Sequence, residues 1–129
     1  MGRKEICMLE DDIEYLNGAF PEWESLKDGS WVLLPDFPIP EGYTVKEATV
    51  AIQLPGNYPT TAPDMAYFFP FIERSDGLAI PATQVSMNID GKSFQRWSRH
   101  YKPGTWHPDE DGLAIHVMAI KDWLERSAS

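Results

Sequence analysis

The densest group of side chains that could take part in recognition or catalysis lies between Asn88 and Trp106. The candidates for binding in this run are Asn88, Lys92, Phe94, Arg96, Trp97, Arg99, His100 and Trp106. Arginines bind carboxylates through paired hydrogen bonds, and a tryptophan can anchor an interface. We expect a contact surface for an acidic tail or a carboxylate. The alternative is a structural loop, with Trp97 in the core and the arginines paired with the chain's own acids.

Two further groups could do chemistry only with the right geometry. Ser93 and His100 could form a nucleophile and its base, but such a pair is recognised by geometry and not by spacing. A second group has side chains of the type that ligate metals: His107, Asp109, Glu110 and Asp111. A solvated acidic turn is expected instead of a metal site, because Pro108 stiffens the segment and Asp111 is placed to cap the next helix.

The composition limits the classes of function. The 129 residues include 11 Lys and Arg against 20 Asp and Glu, for a formal net charge of -9. This balance disfavours binding to nucleic acid or to an anionic membrane, and no stretch approaches the roughly 18 apolar residues that span a bilayer. We expect one domain over residues 1–129. The single cysteine, Cys7, excludes an internal disulfide and suits a reducing cytoplasm.

Two segments have the apolar spacing of amphipathic helices. Between residues 9 and 20, apolar side chains recur at intervals of three and four, at Ile13, Leu16 and Phe20. Asp11 and Asp12 are placed to cap this helix or to favour its dipole, and Pro21 ends it. The same spacing recurs near the C-terminus at Leu113, Val117, Ile120 and Leu124, where Asp111 is placed as the cap.

Short apolar or alternating runs between the helices predict strands over residues 30–34, 46–54 and 65–69, with residues 85–89 as a further candidate. The segment PDFPIPEGY carries three prolines and is predicted to be an extended connection. Residues 70–110 show no sustained period, which predicts a long irregular segment. The predicted fold class is α+β: an N-terminal helix, an antiparallel four-stranded meander, an irregular active-site-like segment and a C-terminal helix.

Tyr58-Pro59 and Pro63 lie between two predicted strands. This arrangement resembles the ubiquitin-conjugating (UBC) fold, which carries a Tyr-Pro…Pro signature at that place. The run MNIDG ending at Gly91 resembles that fold's asparagine element and the turn after it, and Trp106-His107-Pro108 resembles its Trp-x-Pro element. The run DGKSFQRWSRHYKPGTWHPDEDGLAIHV is similar to a bacterial branch of the superfamily, the prokaryotic family lettered E.

The chain departs from active members of that superfamily at the nucleophile. Their cysteine carries a ubiquitin-like protein as a thioester and lies three residues after the glycine of the turn. Here that glycine is Gly91 and the position holds Phe94, while the histidine expected before Asn88 is missing. The resemblance therefore implies a variant that keeps the fold without the thiol. The alternative is acyl transfer by an atypical nucleophile, Ser93 or Cys7.

The expected function is that of a non-catalytic UBC-like protein in a bacterial ubiquitin-like modification system. Its partners would be a ubiquitin-like protein, an activating enzyme or an active conjugating enzyme, with no nucleic acid, membrane, metal or cofactor. A purely structural subunit is the third possibility. We expect the protein to be cytoplasmic.

Overall fold

A computed structural model describes residues 10–26, 30–108 and 110–128. Its elements in chain order are α1 (Glu10–Ala19), β1 (Glu24–Leu26), β2 (Trp31–Pro38), β3 (Glu47–Gln53), β4 (Ala66–Phe69), β5 (Val85–Ile89), β6 (Lys92–Trp97) and α2 (Leu113–Ser127). The architecture is α+β, with an N-terminal helix, a curled antiparallel sheet and a C-terminal helix. In the part of the chain described, neither helix has the length and apolarity that crossing a membrane requires.

The described strands form one sheet in the order β1-β2-β3-β4-β6-β5, and every neighbouring pair is antiparallel. The predicted four-stranded meander is therefore wrong in strand number, because the sheet contains six strands. The two strands that the sequence does not predict are β1 and β6. Since β6 pairs with both β4 and β5, the last hairpin places its second strand inside the sheet and its first strand at the edge.

Residues 85–97 form this regular hairpin, which confirms the candidate strand over residues 85–89 and corrects the prediction of an irregular segment over residues 92–97. Asp90 and Gly91 make the two-residue turn with φ values of 53° and 76°. Positive φ at both central positions is the requirement of the tight turn that matches the twist of paired strands. Across the ladder, Asn88 faces Ser93 and Met87 faces Phe94. Residues 70–84, between β4 and β5, and the described residues between β6 and α2 remain outside the named helices and strands.

Strand β2 is longer than its prolines predict, because it continues to Pro38. Its register against β3 shifts between Leu34 and Phe37, and Asp36 in that interval has a φ of 57°. Such a bulge takes residues out of the hydrogen-bonding ladder, so Pro35 does not have to donate an N–H there. The segment predicted as a connection is thus partly a strand with a bulge.

Apolar side chains fill both faces of the sheet at its centre. The larger cluster joins the face that carries Val32, Val50 and Phe68 to both helices. The predicted stripe of α2 is fully buried in it: Leu113, Val117, Ile120 and Leu124. A smaller cluster on the opposite face contains Trp31, Leu33, Ala51, Tyr67, Ile89 and Phe94. Ala51 of β3 is therefore buried, as expected for an inner strand with a core on each side.

The buried carboxylate of Asp12 joins α1 to the start of α2. Asp12 is 3% exposed. Its Oδ1 accepts a hydrogen bond from the backbone N of Leu113 at 2.9 Å, and its Oδ2 accepts one from the hydroxyl of Tyr58 at 2.5 Å. The approach is so close that a Cβ on Gly112 would lie 2.5 Å from Oδ1 of Asp12. The first free N–H of α2 is therefore capped by a side chain from the other helix.

The prediction that Asp111 caps α2 is wrong. The residue at the cap position is Gly112, which has no side-chain cap hydrogen bond. Asp111 instead accepts a hydrogen bond from the backbone N of His107 at 2.8 Å and closes the turn before the helix. An aspartate one residue too early cannot reach the helix amides, and this leaves the role to Asp12.

Replacing Asp12 by alanine should destabilise the fold. The amide of Leu113 and the hydroxyl of Tyr58 would lose their acceptor in a buried place, and we expect the free energy of unfolding to fall by about 2–4 kcal/mol. Urea denaturation measures the change. Glu14→Ala, on an exposed position of the same helix, should stay within about 0.5 kcal/mol of the wild type. Equal losses in the two variants would contradict the role given to Asp12.

Candidate functional site

The residues predicted to form one binding surface are distributed along β6 and the segment after it. Asn88 and Lys92 flank the hairpin turn at one end of the strand, whereas Arg99 and His100 follow its other end. At the usual rise of a strand, the distance from Lys92 to Trp97 is about 16 Å. The structure therefore does not bring these two groups together.

Phe94 and Trp97 lie on opposite faces of β6, and each is 1% exposed. The ring of Phe94 packs against Phe69 with centroids 5.6 Å apart. Trp97 packs edge-on against Phe68 with centroids 5.1 Å apart. Both side chains are core residues here, so neither is available as a surface anchor. For Trp97, burial in the core is the alternative to a surface anchor that the sequence analysis gives.

Gln95 is a buried polar residue that the sequence analysis does not single out. Its Oε1 accepts hydrogen bonds from the backbone N of Ile72 at 2.8 Å and from Nε1 of Trp97 at 3.1 Å, and its Nε2 donates to the carbonyl of Ile72 at 3.1 Å. The amide side chain thus takes the place of a strand partner for Ile72. A glutamine at a core position breaks the apolar alternation, which is why the pattern does not reveal β6.

The guanidinium of Arg99 is held by its surroundings. It lies 5.0 Å above the ring of Trp97, within range of a cation–π contact. Its Nη1 donates to the carbonyls of Pro81 and Ser98, each at 3.0 Å, and its Nη2 lies 3.4 Å from the hydroxyl of Ser127. Arg99 therefore ties a loop and the end of α2 to the end of β6.

Arg96, in contrast, has an Nε without a described acceptor. It lies between Tyr67 of β4 and Val85 of β5, on the same face as Phe94. Its Nε is shielded from solvent, and no residue in the described ranges accepts a hydrogen bond from it. The side chain lines a cavity of about 350 Å³ together with Gln53, Leu54, Pro55, Gly56, Asp64, Met65 and Tyr67.

His100 contacts this cavity through Asp64. Its Nδ1 lies 3.0 and 2.9 Å from the two carboxylate oxygens of Asp64. Because an ionised carboxylate only accepts hydrogen bonds, Nδ1 carries a proton, and Nε2 is the nitrogen left to meet a ligand. The side chains of the pair are 61% and 49% exposed. The sequence singles out His100 but gives no sign that Asp64, 36 positions earlier, orients it.

Ser93 and His100 do not form a nucleophile and base. Ser93 pairs with Asn88 beside the hairpin turn, whereas His100 follows the other end of β6. The strand alone separates Ser93 from Trp97 by about 13 Å, far beyond the roughly 3 Å of a hydrogen bond. Cys7, the other nucleophile considered, lies outside the described residues.

His116 is a fully buried histidine, and it is neutral at pH 7. Its Nε2 lies 3.0 Å from the carbonyl of Met65 and its Nδ1 lies 2.6 Å from the hydroxyl of Tyr101. Since a carbonyl only accepts, Nε2 carries the proton and Nδ1 accepts from Tyr101. Burial lowers the pKa of His116 to about 4. The ring therefore fixes the position of Met65 at the edge of the cavity.

Trp106 is half-buried and held from two sides. Its Nε1 donates to the carbonyl of Pro59 at 2.8 Å. Its ring lies 5.8 Å from that of Tyr101 and 6.5 Å from that of Tyr58. The segment after β6 is thus fixed by aromatic contacts to the Tyr-Pro turn, and Trp106 leaves only part of its surface for a partner.

Comparison with known proteins identifies the family. A family model described as prokaryotic E2 family E matches residues 8–127. The chain belongs to this family. The match extends over every described element, so it confirms the resemblance drawn from the sequence, and it indicates a conjugating-enzyme-like role in a prokaryotic system. Membership in the family also implies interaction with ubiquitin-like proteins or activating enzymes. Neither a curated protein nor a solved structure matches the chain.

Thiols placed at positions 93 and 94 should differ in accessibility. In a Cys7→Ser background, Ser93→Cys should react rapidly with Ellman's reagent, because Ser93 is exposed. Phe94→Cys should react only as the protein unfolds, and it should lower the free energy of unfolding by about 2–4 kcal/mol through the cavity it leaves. Labelling of both variants at the same rate in the native state would contradict the assigned register.

The stability of the protein should depend on pH through His116. Its pKa is about 4 in the folded chain against an ordinary value of 6.5, so the unfolded chain binds the proton first as the pH falls. The stabilisation is complete above the ordinary value and is lost toward the folded value, and it amounts to about 3 kcal/mol. We expect His116→Gln to show a flatter decline of unfolding free energy between pH 7 and pH 4.5, on the order of this loss.

The control for this measurement is His107→Gln, at an exposed histidine, which should follow the wild-type pH dependence. Acid effects from carboxylates are common to all three proteins and cancel in the comparison. A decline of equal slope in His116→Gln and the wild type would contradict burial of His116 as the source.

Proposed function

We propose that this protein is a non-catalytic, conjugating-enzyme-like component of a prokaryotic ubiquitin-like modification system. It binds a ubiquitin-like protein, or the activating or conjugating enzyme that handles it. The observation that carries the proposal is the side chain of Phe94, which is 1% exposed and paired within β6 at the position where the family resemblance expects a nucleophilic cysteine.

The chemistry of conjugation explains why this position matters. An active conjugating enzyme holds its cargo as a thioester, and the thiolate that forms it must be accessible to a second protein. The register of β6 directs position 94 into the smaller core cluster beside Phe69. A cysteine there would be buried as well. The burial of this position in β6 therefore disfavours catalysis by any residue placed there.

The end of β6 that carries Arg96 and His100 is the best candidate for the binding surface. His100 is exposed, Arg96 has a buried Nε without a described acceptor, and Trp106 is half-buried nearby in the chain. Trp97 lies on the face of β6 opposite Arg96, and Arg99 lies over its ring, which fixes the segment that leads to His100. In a protein of net charge -9, the guanidinium of Arg96 favours a partner that presents an anionic group to it.

The alternative function is acyl transfer by an atypical nucleophile, Ser93 or Cys7. Ser93 is exposed at the start of β6, which makes it accessible to another protein. It is distant along the strand from His100, so it has no described histidine to act as its base. The experiment below separates this alternative from the binding role.

Incubation with the cognate activating enzyme, ubiquitin-like protein and ATP should give no covalent adduct by intact mass spectrometry. The same mixture should contain a non-covalent complex, measured by isothermal titration with each purified partner. An adduct that thiols remove and that Cys7→Ser abolishes would contradict the non-catalytic proposal. So would a thiol-resistant adduct that Ser93→Ala abolishes. Absence of any complex with the ubiquitin-like protein and both enzymes would contradict the binding role.

A further inference from the structure

The cavity beside Arg96 combines one unused cation with a mixed polar and apolar lining. Arg96 comes from β6, Tyr67 from β4 and Gln53 from the end of β3. Asp64 lies in the loop that joins β3 to β4. Leu54 and Met65 supply apolar surface. The cavity therefore lies where three strands meet, on walls that the sheet holds in place.

The guanidinium of Arg96 lacks a hydrogen-bond acceptor for its Nε within the described part of the chain. A buried nitrogen without an acceptor is unfavourable, and natural proteins seldom keep one without a use for it. The Nε of Arg96 is the one side-chain atom in the described residues that is buried without a hydrogen-bonding partner. Because Nε is closed to solvent, a ligand in the cavity would pair with the terminal nitrogens of the same guanidinium.

The charges around the cavity favour a singly charged planar anion. Asp64 is paired with His100, so the positive charge of Arg96 is the one without an ion-pair partner among the described lining residues. A carboxylate matches the two parallel N–H bonds of a guanidinium. A phosphate dianion would meet stronger repulsion from the carboxylate of Asp64, which lines the same cavity.

We propose that this cavity binds the free C-terminal carboxylate of a peptide chain, with Arg96 as its two-point anchor. A volume of about 350 Å³ lies at the small end of the range for ligand sites, which suits two or three small terminal residues. The amide of Gln53 can pair with a peptide group, and Leu54 and Met65 can contact its side chains. If the proposed function holds, on which this step rests, the chain end is that of the ubiquitin-like partner.

The proposal predicts that the protein binds its partner in only one chemical state of the partner's C-terminus. A ubiquitin-like protein has a free C-terminal carboxylate before activation and after release, but not when its end is joined to another group by a thioester or an amide. An anchor that requires both carboxylate oxygens distinguishes these states. The site would therefore retain the free form and release the joined form.

The test uses the full chain labelled with ¹⁵N and four probes at equal ionic strength: trialanine, trialanine amide, sodium acetate and inorganic phosphate. The Nε–H signal of Arg96 in the NMR spectrum reports binding directly. We expect trialanine to shift this signal and the backbone amides of Asp64 and Tyr67, with an affinity at least about tenfold higher than that of the amide. Acetate and phosphate should bind more weakly than trialanine.

Three variants complete the test. Arg96→Gln should remove the response of Asp64 and Tyr67, and Arg96→Lys should weaken binding at least about fivefold because it keeps the charge but loses the fork. Lys92→Gln is the matched control, since Lys92 lies over the ring of Phe69 and does not line the cavity. It should leave binding unchanged. The comparison of trialanine with its amide needs no variant and stands if a substitution impairs folding.

Equal binding of trialanine and its amide would overturn the proposal. So would binding of acetate or phosphate as tight as that of trialanine, or a response to Lys92→Gln equal to that of Arg96→Gln. A ubiquitin-like partner that binds regardless of Arg96 and of its own C-terminal carboxylate would overturn the carboxylate site and leave the proposed function standing. If the peptides bind as expected but the ubiquitin-like partner does not bind at all, the proposed function is overturned and the carboxylate site stands.

Discussion

The carboxylate of Asp12 accepts hydrogen bonds from α2 and from the Tyr58 turn, and the helical layer depends on this contact. It fixes where α2 begins, and the helix in turn carries His116 to the carbonyl of Met65. Met65 is the residue before β4 and lines the cavity beside Arg96. The edge of the candidate site is therefore held in place by a chain of contacts that starts at a buried acid in the first helix.

The register of strand β6 determines the surroundings of both position 94 and Arg96. Side chains two apart in a strand share a face, so Phe94 and Arg96 point to the same side of the sheet, while Gln95 and Trp97 point to the other. A shift of one residue would exchange these faces. The ladder with β4 excludes that shift, so the register that buries position 94 also brings the arginine to the cavity.

The sequence predicts the elements whose pattern has one buried face and fails where burial is not periodic. Helix α2 follows from its apolar stripe, β3 from its alternation and β4 from a short apolar run that ends at Pro70. The pattern does not predict strand β6, because its core face carries Gln95, whose amide replaces a strand partner for Ile72. The roles of Asp12 and Asp64 depend on contacts between distant parts of the chain, which no local spacing encodes. The arginines are predicted as a pair, but only contacts in space separate Arg99, which is bound, from Arg96.

The overall charge of the protein adds a constraint on what can reach the site. A net charge of -9 repels an acidic partner at long range, and salt weakens this repulsion over about 10 Å. Acids are plentiful, and Asp64 lines the same cavity, but no described acid lies within ion-pair distance of Arg96. A partner with a basic body and a single carboxylate at an extended end meets both conditions. Its body is drawn by the field of the whole protein, and its end is held by the one guanidinium that the cavity leaves unpaired.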